Sequence, residues 1–134
     1  MAGAFSADLT KFLEHFGGNM DKTVRHAVVL TSQGVVMNTP VDTGRLRGNW
    51  QFGRELPPQG ELTLLDTSGA AAIARIAGQV TSLKAGGECW VVNNLPYSGR
   101  IEYGHSRVKA PRGMVRITLA NLPAAIESYV RDLQ

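Results

Sequence analysis

The stretch TPVDTGRLRGNW, residues 39–50, marks the point where a long helical pattern stops and a different pattern begins. Pro40 has no amide hydrogen and disfavours a helical conformation at the residue before it, so a helix arriving from the N-terminal side has to end here. Asp42 is expected to fold its carboxylate onto the amide of Gly44 or Arg45 as an Asx-turn, with Gly44 free to adopt a positive φ. These residues, called the corner below, therefore predict a rigid turn.

Two arginines and a distant glutamate define the charges expected around the corner. Arg45 and Arg47 alternate with Leu46, so an extended chain would place both guanidinium groups on one face. Glu102, in the segment 93–106, carries a carboxylate suited to contact with a guanidinium group. We therefore expect Glu102 to pair with Arg45 or Arg47, and the corner to be one half of a two-part clasp.

The residues before the corner predict two helices. Apolar side chains recur at intervals of three and four over residues 6–16, and the Gly-Gly pair at 17–18 ends that pattern. A second, longer helix is expected to begin after Asn19, a favourable N-cap residue, and to end near Asn38.

Two strands are predicted after the corner. Residues 48–56 alternate, which places Trp50 and Phe52 on the same face. Residues 88–93 form a nearly continuous apolar run between two turn signals, which is typical of a strand at the centre of its sheet. Cys89 lies in this run and is expected to be a buried, unreactive thiol.

Three further helical segments are predicted in the second half of the chain. Apolar residues recur at helical spacing over residues 72–83, and the glycines at 86–87 end that helix. A short helical turn is expected over residues 97–103. Residues 115–133 predict a C-terminal amphipathic helix, in which Pro123 should produce a kink or a break.

The order of these elements predicts an α+β fold. One domain spanning residues 1–134 would hold a small, mostly antiparallel sheet packed with the long N-terminal helix and the C-terminal amphipathic helix. A chain of 134 residues is long enough to bury a substantial core. Because no long apolar run and no secretory signal pattern is present, neither a membrane span nor a membrane partner is expected.

A cation-rich segment without acids extends from His105 to Arg116, in a chain of formal net charge +3. Most cations of the chain are arginine, whose planar group favours contacts with carboxylates or phosphates. The segment is therefore a candidate for contact with DNA or with an acidic protein partner. The candidate residues are Arg107, Lys109, Arg112 and Arg116.

The residues that most often carry chemistry form no recognisable site in the sequence. His15, His26 and His105 lie far apart and lack the spacings of zinc ligands, and no serine lies in a nucleophile motif. No glycine-rich phosphate-binding motif is present, so no cofactor is expected. A small hydrolase or nuclease using His105 with Glu102 or Asp42 is the enzymatic alternative, and the expectation is a protein that is not an enzyme.

Two segments carry a resemblance to a known family. TPVDTGRLRGNW at 39–50, and NNLPYSGRIEYGHS with APRGMVR at 93–116, together resemble the tail-completion (neck, or minor tail) proteins of long-tailed, lambdoid-type bacteriophages. The helix-rich N-terminal third and the closing amphipathic helix are similar in order and length. The likeness spans essentially the whole chain, although residues 57–87 carry little of it.

The resemblance implies a structural virion protein without catalytic activity, made in the host cytoplasm and working in the neck or tail of the particle. It would join the head–tail connector to the tail tube as part of a homo-oligomeric ring, with the connector or stopper, the tail terminator and the tail tube as partners. A tail terminator or head-closure protein, or a basic module contacting the DNA in the connector channel, is the alternative.

The resemblance also assigns a set of family-signature residues in the two segments, which serve the fold, an interface or both. They are Asp42, Thr43, Gly44, Arg45, Arg47, Tyr97, Glu102, Tyr103 and Gly104.

Overall fold

Three short antiparallel strands form the sheet in the computed structural model, which describes residues 4–5, 20–103 and 112–132. They are β1 (Ala4–Phe5), β2 (Trp50–Arg54) and β3 (Cys89–Asn93), in the order β1–β3–β2. β3 is central, as its continuous apolar run predicts. β1 was not predicted, because two residues are too few to show an alternating pattern.

The predicted phase of β2 is confirmed. Trp50 and Phe52 are both buried, whereas the intervening Gln51 is only partly covered. Trp50 lies opposite Asn93 and Phe52 opposite Val91 in the register with β3. One face of the strand pair therefore closes the core, as alternation with a period of two residues requires.

The helices of the described residues pack on this sheet and on one another. They are α1 (Met20–Met37), α2 (Arg45–Gly48), α3 (Ala70–Gln79), α4 (Ser98–Glu102) and α5 (Val115–Asp132). The long N-terminal helix α1 packs against α5 along one side and against α3 along another. The α+β fold expected from the sequence is therefore correct.

Both long helices follow their sequence signals closely. α1 ends at Met37, shortly before Pro40, as that proline requires. α5 continues from Val115 to Asp132 with Pro123 inside it, so the helix is not split there. No helix in the described part of the chain is long and apolar enough to cross a membrane.

The main buried cluster joins the sheet to α1 and α3. Trp50, Ile76 and Val36 are at most 1% exposed and lie within it. The apolar face of α3 contributes Ala72 and Ile76 to the centre of this core. Burial of these apolar side chains provides the dominant favourable term in the free energy of folding.

The prediction that Cys89 is buried is wrong. Cys89 is exposed, not buried, because it opens β3 at the end of the sheet where Arg54 is its strand partner. Partial desolvation still raises the pKa of the Cys89 thiol, despite the nearby charge of Arg54. The helix predicted over residues 6–16 lies outside the described residues.

Candidate functional site

The corner is helical and not extended. Gly44 has a φ of 87°, in agreement with the prediction, and α2 follows it directly. The amide of Arg45 donates to the Thr43 hydroxyl at 3.3 Å, so the hydroxyl of Thr43 takes the place expected for the Asp42 carboxylate. Asp42 and Thr43 are exposed. Because a helix has about 3.6 residues per turn, Arg45 and Arg47 point to nearly opposite sides of α2, whereas an extended chain would have aligned them.

Gly44 packs directly on the chain that leads into α3. A Cβ atom at Gly44 would lie 2.7 Å from the backbone nitrogen of Asp66 and 2.8 Å from that of Thr67, too close for any side chain. The amide of Asp66 donates to the Gly44 carbonyl at 2.9 Å. Glycine is therefore required here both by its positive φ and by the closeness of the two backbones.

Asn49 joins the corner to the same segment. Its Nδ2 donates to the carbonyls of Arg45 at 2.8 Å and Leu62 at 3.0 Å, and its Oδ1 accepts from the Leu62 amide at 2.7 Å. The side-chain amide thus pairs with Leu62 as a backbone peptide would in a strand. The counterpart of the corner is residues 60–67, which sequence reasoning left without a role.

Asp66 extends this unit to the start of α3. Its Oδ1 accepts from the amide of Gly69 at 3.0 Å, and its Oδ2 accepts from the amide of Ala72 at 2.8 Å. A buried carboxylate at a helix N-terminus satisfies amides that have no partner within the helix and complements the helix dipole. The corner therefore positions α3 through Asp66.

The two arginines of the corner have different partners, and the predicted clasp with Glu102 is wrong. Arg47 donates to the carbonyls of Thr39 at 3.0 Å, Thr67 at 2.8 Å and Met37 at 3.3 Å, holding the end of α1. Arg45 forms an exposed ion pair with Glu61 at 2.8 Å.

Glu102 instead caps α5. Its side chain is fully buried, with Oε1 accepting from the amides of Met114 and Val115, each at 2.7 Å. Oε2 accepts from the amide of Arg116 at 3.0 Å. The carboxylate therefore satisfies three consecutive amides at the start of the helix, where negative charge is most favourable.

Arg116, a candidate for DNA contact, is held by the same carboxylate. Its Nε donates to Glu102 Oε2 at 3.0 Å, its Nη2 donates to the Glu102 carbonyl, and its guanidinium carbon lies 5.1 Å from the centre of the Tyr103 ring. Arg112 is exposed. Gly104, Arg107 and Lys109 lie outside the described residues.

The two segments that carry the family resemblance do meet, through residues that were not expected to join them. Asn93 Nδ2 donates to the Leu46 carbonyl at 2.8 Å. Trp50 Nε1 donates to the Thr39 hydroxyl at 2.8 Å, and the same hydroxyl lies 3.2 Å from Met114 Sδ. The corner therefore contacts β3 and the start of α5.

The remaining signature residues lie on the surface. Tyr97 is 38% exposed and Tyr103 is 66% exposed, both beside α4.

Among the described residues no group of three or more His, Cys, Asp or Glu side chains could hold a metal ion. Glu102 is committed to a helix cap, which makes it a poor acid or base for the hydrolase alternative, and His105 lies outside the described residues.

Sequence reasoning missed Asp66 and Asn49. A signal for Asp66 was present, because an aspartate shortly before an alanine-rich helical pattern is a frequent capping residue. Asn49 had no such signal. Its side-chain amide pairs with Leu62 in the way that a neighbouring strand would, and this role is recognised only once the facing segment is known.

Comparison of the chain with protein-family models, with curated protein sequences and with solved structures found no match.

Proposed function

We propose that this chain is a structural virion protein of a long-tailed bacteriophage, which joins the head–tail connector to the tail tube as one subunit of a ring in the neck or tail. It would act after its synthesis in the host cytoplasm and remain in the virion. Its partners would be further copies of itself and the neighbouring connector or stopper, tail-terminator and tail-tube proteins.

The observation that carries this proposal is that the two segments resembling tail-completion proteins belong to one structural unit. They are far apart in the sequence, yet Asn93 bonds the Leu46 carbonyl at 2.8 Å, and Thr39 lies 3.2 Å from Met114 Sδ. Separate motifs that share a family origin are expected to converge in the fold, whereas unrelated turns have no reason to do so.

The signature residues also divide in a way that suits an assembly protein. Gly44 and Glu102 are buried and hold backbone segments together. Arg45, Tyr97 and Tyr103 are exposed and offer a guanidinium group and two amphipathic rings to a neighbour. Tyrosine and arginine are enriched in the energetically important parts of protein interfaces.

Deletion of the gene from the phage, followed by electron microscopy of the lysate, tests the proposal. We expect filled heads and complete tails that remain separate, because the particle would lack the subunits between them. Plasmid-borne wild-type protein should restore joined, infectious particles. The variant Glu127→Ala, at an exposed position outside both segments, serves as a control for the complementation and should restore them equally.

Two outcomes would contradict the proposal. Infectious particles at normal yield without the gene would show that the chain is not needed for assembly. A block before heads and tails are made, for example in DNA replication or lysis, would place the chain outside the neck and tail.

A further inference from the structure

A groove of about 380 Å³ lies between α1, the C-terminal end of α3 and the C-terminal half of α5. It belongs neither to the corner nor to the Glu102 cap. Val29 and Ala77 are half-buried and form part of its apolar surface, on α1 and α3 respectively. A groove of this volume is large enough to hold one or two side chains of a ligand.

The basic side chains that line the groove all come from α1. Lys22, Arg25 and His26 line the groove, and no carboxylate is among its lining residues in the described part of the chain. Burial lowers the pKa of His26, so Lys22 and Arg25 carry the charge at neutral pH. The described lining of the groove is therefore cationic and includes no acid.

Arg25 and His26 are held in place by contacts at the edges of the groove. Arg25 Nε donates to the Leu83 carbonyl at 2.6 Å, which fixes the guanidinium group near the end of α3. The His26 ring stacks on Tyr129 of α5 with 3.8 Å between ring centres and 18° between ring planes. The site is therefore largely formed before any ligand binds, which reduces the entropy lost on binding.

We infer that this groove binds an acidic peptide segment of a partner protein, with a carboxylate near Lys22 and Arg25 and a neighbouring apolar side chain against Val29 and Ala77. Both lining cations lack a carboxylate partner among the described residues, whereas Arg45 and Arg116 each have one. Residues 22 and 29 lie about 10 Å apart along a helix, the span of a few extended peptide residues.

A peptide explains the groove better than a nucleic acid. The cations occupy only one side of the groove. The apolar surface beside them would gain no favourable contact from a phosphate backbone. A carboxylate next to an apolar side chain uses both parts of the lining. This inference rests on the chemistry of the groove and is independent of the proposed role in the phage neck.

Selection from a pool of randomised short peptides on the immobilised full chain tests the inference. We expect the selected peptides to be enriched in Asp or Glu beside Leu, Phe or Tyr. Their binding, measured by fluorescence anisotropy, should weaken about tenfold or more in Lys22→Glu, because the new carboxylate repels the acidic peptide. Amide chemical-shift changes on binding to the wild-type chain should centre on His26 and Tyr129.

Arg100→Glu is the matched control, because it makes the same charge change at another exposed position, on α4. It should leave the affinity within about twofold, since Arg100 does not line the groove and an exposed charge is screened by salt. Unchanged circular dichroism and Tm in both variants would show that the fold is retained.

Four results would overturn the inference. Peptides without acidic enrichment would remove the proposed ligand class, and equal weakening by Lys22→Glu and Arg100→Glu would leave only general electrostatic attraction. Shift changes outside the groove would place binding elsewhere. Self-association that disappears in Lys22→Glu, without peptide binding, would identify a second copy of the chain as the occupant.

Discussion

The corner and the Glu102 cap use opposite charges for the same task. Arg47 donates to the carbonyls of Met37 and Thr39 at the end of α1 and to that of Thr67, whereas Glu102 accepts from three backbone amides at the start of α5. A helix presents unpaired carbonyls at its C-terminal end and unpaired amides at its N-terminal end. The sign of each side chain therefore follows from the helix end that it holds.

The two sites differ in burial, and this difference should decide how much each contributes to stability. Glu102 is completely covered, so the amides it bonds would lose their partner in a place that water does not reach easily. Arg47 is only half-buried, and water can replace part of what it donates. An unpaired buried polar group costs more than an exposed one.

Removing the buried Trp50 ring, at the end of the corner, is expected to have the largest effect on the free energy of unfolding. Trp50 is 1% exposed and its Nε1 bonds Thr39. Trp50→Ala should lower the free energy of unfolding by about 3–5 kcal/mol, measured by urea denaturation, because a large cavity replaces the ring. Trp50→Phe keeps most of the volume and should lose less. A loss below about 1 kcal/mol for the alanine variant would contradict the buried position of this ring.

Removing the Glu102 carboxylate comes next. Glu102→Ala should lower the free energy of unfolding by about 2–4 kcal/mol, because three amides at the start of α5 lose a charged acceptor. The matched control is Glu127→Ala, which removes an exposed carboxylate from α5 itself and should change stability by less than about 0.5 kcal/mol. Equal losses in the two variants would mean that the cap adds nothing to stability.

Arg47→Ala should have a smaller effect than the loss of Glu102. We expect about 1–2 kcal/mol, measured in the same way, because three carbonyls lose a donor and two of them belong to the exposed residues Met37 and Thr67. Arg47→Lys keeps the charge without the planar group that reaches three carbonyls, so it should recover only part of the loss. An effect larger than that of Glu102→Ala would reverse the expected order of the two sites.

Arg45→Ala is expected to change stability least. Its ion pair with Glu61 is exposed on both sides and open to screening by salt. The loss should be below about 1 kcal/mol in thermal unfolding and should shrink further at high salt. A larger, salt-independent loss would show that Arg45 contributes to the corner as strongly as Arg47 does.

The number of arginines in the chain does not predict which acceptors they contact. The abundance of arginine suggested carboxylate or phosphate partners, yet several guanidinium groups donate hydrogen bonds to backbone carbonyls. Those of Arg25, Arg47, Arg54 and Arg75 do so. A guanidinium group has five donors and suits any cluster of acceptors. Which acceptors surround it depends on where the other segments of the chain lie, and composition carries no such information.

The elements whose patterns are local could be predicted from the residues alone. Pro40 ended α1, the alternation around Trp50 set the buried face of β2, and the apolar run at 89–93 placed β3 at the centre of the sheet. Periodicity and backbone stereochemistry act over a few residues and can be read directly.

Only the tertiary structure decided the partners of the charged and amide side chains. Glu102 caps α5 and does not reach the corner, and the corner pairs with residues 60–67 through Gly44 and Asn49. These contacts join residues 12 or more positions apart, beyond the reach of a single helix or strand pattern. A hydrogen bond between distant residues depends on the packing of the whole core, so no local pattern of residues specifies it.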